Sequence, residues 1–130
     1  VGRAEGYVTT AYGQPIQVDP DYSYKAANYR VQGSAAGLLK LAMLRVDGLL
    51  QRMNRLTIGA TDAHLILTIH DEIVIECRVE DATEFLIDGI KAECEAPGKV
   101  FRLPTPVDVT VAVSTWEYKQ KWSTYLENQA

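Results

Sequence analysis

Leu65-Ile66-Leu67-Thr68-Ile69-His70-Asp71-Glu72-Ile73-Val74-Ile75-Glu76-Cys77 is the stretch on which the fold turns. Two β-rich runs flank a polar trio, so the pattern predicts paired strands with His70-Asp71-Glu72 at or beside the bend. Two adjacent carboxylates in an otherwise apolar segment are costly unless paired or exposed. A bend pushes such side chains out of the sheet while the strands hold them. Magnesium takes hard oxygen ligands and keeps several waters, so one or two carboxylates plus substrate phosphates suffice to hold it. The same residues also suit an ordinary exposed turn with solvated charges, because acidic residues are common in turns.

Working outward, residues 6–18 read as a hairpin: β-branched and aromatic residues fill both arms, and Gly13 followed by Pro15 marks the bend. Asp19-Pro20-Asp21 breaks the second arm. From Ala26 to Asn54 the spacing turns helical, with Leu39, Ala42, Met43, Val46, Leu49, Leu50 and Met53 on one stripe. Gly33 lies early in this helix, at a helix-propensity cost that allows another backbone to come close. Residues 80–96 form a further predicted helix with Ala82, Phe85, Leu86 and Ile90 on one side and Pro97-Gly98 as its stop. Val107, Val109, Val111 and Val113 alternate with Asp108, Thr110 and Ala112 as in a half-buried strand. A Ser114 or Thr115 cap then opens a last helix from Trp116 to about Leu126. Trp116, Tyr118, Trp122 and Tyr125 read as its packing face rather than as base-stacking platforms. The order ββ-α-ββ-α-β-α predicts an α+β antiparallel sheet with helices packed on one face.

Composition sets the outer limits. A chain of 130 residues fits a single domain, and 47% apolar with 23% charged residues is ordinary for a globular protein. The net charge of −4 argues against a stand-alone nucleic-acid binder, which usually carries a basic excess. No apolar run approaches the roughly 20 residues that span a bilayer, so no membrane partner is expected. The start, Val-Gly-Arg-Ala-Glu-Gly, has no initiating Met and no secretory pattern, consistent with a processed or excised piece. Cys77 and Cys94 form neither a disulfide framework nor a C-x-x-C pair, which favours packing roles and a reduced, cytoplasmic setting.

Four blocks together resemble family A DNA polymerases. Asn28-Tyr29-Arg30-Val31-Gln32-Gly33-Ser34-Ala35-Ala36 is similar to the family's N-x-x-x-Q-G-x-A-A helix, and residues 67–76 to its motif C. Gly6-Tyr7-Val8-Thr9-Thr10-Ala11-Tyr12-Gly13 resembles the G-Y-V-x-T-x-x-G hairpin, and Val107 to Trp116 the closing strand with its Trp. The blocks stand in family order and cover nearly the whole chain. The resemblance implies the C-terminal palm part of a DNA-directed DNA polymerase, bound to Mg2+, primer-template DNA and dNTP in the bacterial or phage-infected cytoplasm.

Carried over, Asp71 matches the motif C aspartate that binds the catalytic metals, and Glu72 the adjacent carboxylate of secondary role. His70 matches the histidine near the primer terminus. Asn28 and Gln32 match amides that reach the minor-groove side of a base pair, where similar acceptors appear for every pair. By the residues alone, Asn28 and Gln32 also suit helix-start capping, and His70 a satisfied core histidine. Gln14-Pro15-Ile16 replaces the family's Arg-rich run, Gly37 replaces an acidic residue, and the stretch before Asn28 is short. These departures imply a divergent, phage-like member.

Nothing in these residues matches the family's motif A aspartate or its fingers helix. Asp21-Tyr22-Ser23 echoes motif A only in three letters and in the wrong place. The expectation is a piece inactive by itself that needs those parts in cis or in trans, and that self-associates through apolar surface the rest of the palm would cover. A non-catalytic palm-fold remnant or interaction module is the alternative. An unrelated metal hydrolase would need a second ligand cluster, and Asp62 with His64 is too sparse for one.

Overall fold

The computed structural model describes residues 6–129, which divide into two compact units, one up to Leu41 and one from Ala42 onward. In the first unit, β1 (Tyr7–Thr9) pairs antiparallel with β2 (Pro15–Gln17), Val8 opposite Ile16. Thr10 organises the connection. Its buried hydroxyl accepts from the N–H groups of Tyr12 and Gln14 at 3.2 Å each, and its carbonyl accepts from Gly13 N–H at 3.0 Å. Gly13 has φ 79°, a left-handed conformation that costs glycine nothing. The strand break falls where Asp19 caps a 3-10 turn, Pro20–Lys25, by accepting from Asp21 N–H at 3.0 Å.

Helix α1 (Ala26–Asn54) follows, matching the sequence expectation, and its residues up to Leu41 belong to the first unit. Gly33 and Gly37, one helical turn apart, make a notch on it. A Cβ at Gly33 would lie 2.5 Å from Ile16 Cδ1 and 2.8 Å from Thr10 Cγ2, and one at Gly37 2.5 Å from the Tyr12 ring. What Gly33 admits is therefore side chains of the hairpin, not the neighbouring backbone expected from sequence. Ser34 Oγ accepts from Ala11 N–H at 2.9 Å beside this notch.

The second unit is built on β3 (Ala63–Ile69) and β4 (Glu72–Cys77), an antiparallel pair. Val46 and Leu50 of α1, Ala63 of β3 and Leu86 of α2 (Glu84–Val100) form its core, with Met53, Leu65, Ile75, Cys77, Ile90 and Cys94 packed around them. Both helices thus cover one face of the β3–β4 ribbon. Full burial of a Leu or Val contributes about 1.5–3 kcal/mol relative to exposure, so these few residues dominate the unit's cohesion. An Arg45–Glu93 ion pair at 2.9 Å links the same two helices at the surface.

Four further expectations need correction. Pro97-Gly98 does not stop α2, which runs on to Val100 with both residues buried. The stop is a Schellman motif: Leu103 N–H donates to Gly98 O at 2.9 Å and Arg102 N–H to Lys99 O at 3.1 Å, with Arg102 at φ 55°. Gly98 is glycine for space, since a Cβ there would collide with the Thr105 hydroxyl and lie 2.8 Å from Leu103 O. Phe85 is 75% exposed rather than packed, because Leu86 and Ile87 take the buried face at the start of α2, where Thr83 accepts from Leu86 N–H.

The valine alternation yields only a two-residue strand, β5 (Thr110–Val111), because its partner β6 (Gln120–Lys121) is equally short. The final helix does not begin at Trp116. Trp116–Tyr118 is a 3-10 turn, Lys119 is extended at φ −65°, ψ 138°, and α3 (Trp122–Gln129) starts after β6. The described residues hold three two-stranded antiparallel ribbons and three α-helices, an α+β architecture in which no single sheet joins all the strands. No described helix is long and apolar enough to cross a membrane.

Candidate functional site

The β3–β4 turn is two residues long, His70-Asp71, with Ile69 paired to Glu72 across its base. His70 sits at φ 53°, the left-handed region that histidine visits more readily than most residues. A positive φ at the first loop position suits the right-handed twist of the flanking strands. Between Leu65 and Leu67 the register slips, so Ile66 has no partner of its own on β4. That bulge bends β3 four residues before the turn, a device that re-aims side chains.

Two ties fix where β3 begins. Asn54, at the end of α1, donates from Nδ2 to Ala63 O at 2.8 Å and accepts at Oδ1 from Ala63 N–H at 3.2 Å. The Thr61 hydroxyl donates to the same Oδ1 at 2.6 Å. Beyond β4, Asp81 accepts from Arg78 Nε at 2.7 Å and from Asp62 N–H at 2.9 Å, while Arg78 also donates to Ala60 O. The Arg78 hydrogen bond first, then the Asp62 N–H, hold the Asp81 carboxyl below the ordinary carboxylate range. These ties close the strand ends opposite the acidic turn, and the sequence reading missed both.

His70, Asp71 and Glu72 are all exposed. Among the described residues Asp71 has no hydrogen-bond or ion-pair partner, whereas Glu72 Oε1 lies 3.7 Å from Lys119 Nζ. His70 is therefore no buried core histidine. Asn28 and Gln32 are exposed on the first turns of α1, one helical turn apart and hence on one face, and Asn28 makes no capping bond among the described residues. They belong to the first unit and the trio to the second, and each group is coherent within its own unit. His64 Nε2 lies 2.7 Å from Asp62 Oδ1 at the surface. No group of three or more His, Cys, Asp or Glu that could hold a metal occurs among the described residues.

Asp21-Tyr22-Ser23 lies in the 3-10 turn, where Lys25 Nζ stands 4.6 Å over the Tyr22 ring. The C-terminal aromatics split. Trp122 and Tyr125 stack at 5.5 Å between centroids and Tyr125 is buried, as expected of a packing face, while Trp116 and Tyr118 are exposed. The Trp116 ring instead carries Lys119 Nζ at 5.2 Å from its centroid. No sequence signal pointed to Lys119, because its meeting with Glu72 spans 47 positions (119 − 72).

An α+β segment that presents an unpaired carboxylate on a tight β-turn is suited to oxygen coordination of a hard cation. The chain belongs to DNA polymerase family A, whose family model matches residues 3–118. It is 37% identical over 89 residues to DNA polymerase I of Aquifex aeolicus, covering 68% of this chain and 14% of that protein. It is 35% identical over 123 residues to the thermostable DNA polymerase I of Thermus filiformis, covering 86% of this chain and 13% of that one. DNA polymerase I of Pseudomonas aeruginosa is 34% identical over 97 residues, 67% of this chain and 10% of the relative. The chain thus spans only about a tenth to a seventh of the length of these relatives.

Proposed function

We propose that this chain is the C-terminal palm part of a DNA-directed DNA polymerase, a single functional domain that contributes the motif C carboxylate to template-directed nucleotidyl transfer. The observation that carries the proposal is the exposed, unpartnered Asp71 on a two-residue β-turn in a chain of this family. The donor set fits Mg2+, since one hard carboxylate on an exposed turn leaves room for waters and substrate phosphates. When bound, such ions activate the primer 3′-hydroxyl and stabilise charge on the transferring phosphoryl group.

The chain's own residues have separable tasks in this reading. Asp71 offers the ligand oxygen. Glu72, the adjacent carboxylate of secondary role, is paired with Lys119. His70, exposed in the turn, lies toward the primer end, and the Asn28 and Gln32 amides follow the minor-groove edge of a base pair. Residues matching the family's second metal-binding aspartate and its fingers helix are not found among these 130, so catalysis requires those parts in cis or in trans. Gln14-Pro15-Ile16 and Gly37 support a divergent, phage-like member.

Primer extension with magnesium and four nucleotides tests the proposal. The chain alone should give no extension. A chimera in which it replaces the matching C-terminal segment of the Thermus filiformis enzyme should extend, and Asp71→Asn should lower its kcat by roughly 10²–10³-fold, as for loss of a group that stabilises transition-state charge. Robust extension by the chain alone would refute the requirement for other parts. An Asp71→Asn chimera within threefold of its parent would refute the role of Asp71.

A further inference from the structure

We infer that Lys119 is a positioning residue that keeps Glu72 out of the metal-ligand set, so that the turn offers a cation one carboxylate, Asp71. The inference rests on the motif C reading above and adds to it a residue from the opposite end of the unit.

Two neighbouring carboxylates on a turn present a cation with an ambiguity. Either oxygen set, or both, can coordinate, and the ion's position then shifts by the length of a side chain. A fixed positive charge beside one of them removes the ambiguity, because an ammonium competes directly for that carboxylate's oxygens and cancels its charge. Lys119 is placed for this. Its Nζ lies 3.7 Å from Glu72 Oε1 and 5.2 Å from the centroid of the Trp116 ring, so the ammonium stands between a carboxylate and an aromatic face. Its backbone is held on both sides, by the 3-10 turn Trp116–Tyr118 before it and by β6 after it. The Lys119 side chain is 37% exposed against 52% for Glu72, so the pair is screened but not free in solvent. Asp71, one residue away, is left without a partner among the described residues.

The consequence is a specific pattern of local charge. Asp71, Glu72 and Lys119 together carry −1. Without the lysine they carry −2, and without the glutamate, 0. If Glu72 acts only as the counter-charge of Lys119, removing both members restores −1 and leaves cation binding as it began. If Glu72 is itself a ligand, removing both loses a ligand and binding stays weak.

Mn2+ titration of the isotopically labelled chain tests this, reading paramagnetic broadening of the amides of residues 70–73 together with water relaxation. Lys119→Gln should tighten Mn2+ binding roughly two- to fivefold, the scale of a partly screened ion pair. Lys119→Arg should match the parent. Glu72→Gln should weaken binding by a similar factor, and Lys119→Gln combined with Glu72→Gln should return to within about 1.5-fold of the parent, because the local charge is again −1. Unchanged or weaker binding by Lys119→Gln, or a double variant as weak as Glu72→Gln alone, would overturn the inference. Asp71→Asn separates the two levels of the argument. Loss of broadening at the turn upholds the motif C reading whatever Lys119 does, and persistence of parent-like binding overturns that reading itself.

Discussion

Replacing Asn54 should loosen the acidic turn from a distance. Ala63 is fully buried, and both its backbone N–H and its C=O are bonded by the one Asn54 side chain, at 3.2 and 2.8 Å. Asn54→Ala strands a buried donor and a buried acceptor, each costing about 1–3 kcal/mol if water cannot replace the partner. Asn54 is only half-buried, so some water enters, and a total near 2–3 kcal/mol is expected.

Asn54→Asp is the sharper variant. It keeps the acceptor for Ala63 N–H and Thr61 but turns an oxygen toward Ala63 O. Repulsion there raises the new carboxyl's folded pKa above its unfolded value of about 3.9. The folded state then binds the proton more tightly, so the Asp variant should recover stability relative to Asn54→Ala as pH falls through that raised pKa. Urea unfolding followed by circular dichroism gives the energies, and hydrogen exchange at the Ala63 amide localises them. A loss below about 0.5 kcal/mol for Asn54→Ala, with Ala63 exchange unchanged, would show that the anchor contributes little, since that is the scatter of ordinary surface substitutions.

Three other outcomes are expected. Arg102→Gly should stabilise the chain by about 0.5–1 kcal/mol, visible as a higher urea midpoint, because a non-glycine residue at φ 55° closes the Schellman motif. Asp81→Asn should destabilise the chain at neutral pH, and the gap should persist above the unfolded pKa of about 3.9 and close as pH falls through the lower folded pKa that Arg78 imposes; equilibrium unfolding from pH 7 to 2 checks this. Burial, then Asp81 near Cys77 and Glu95 and Glu93 near Cys94, push both free thiols up, so Ellman's reagent at pH 8 should react at least roughly tenfold faster after denaturation.

The elements whose side chains repeat regularly were legible in the sequence, because periodicity records which face is buried. The stripe through Ala42, Val46 and Leu50 gave α1, and the apolar runs around His70-Asp71-Glu72 gave the hairpin and its exposed turn. Gly33 was legible as a close approach, though not as a socket for Ile16 and Thr10. Strand length at the C-terminus was not, because a strand's extent depends on its hydrogen-bonding partner, and β6 offers only two residues against the valine alternation.

At the candidate site the division is similar. Residue type and order singled out Asp71 as a candidate, since a carboxylate pair in an apolar hairpin is a local feature. The Asn54 anchor, the Asp81–Asp62 tie and the Lys119–Glu72 pair join positions 9, 19 and 47 apart (63 − 54, 81 − 62, 119 − 72). Only the folded chain sets which distant donor finds which acceptor, because that choice follows from where packing leaves each backbone end. The identity of the acidic turn is thus written in the chain, and its charge environment is decided by tertiary contacts.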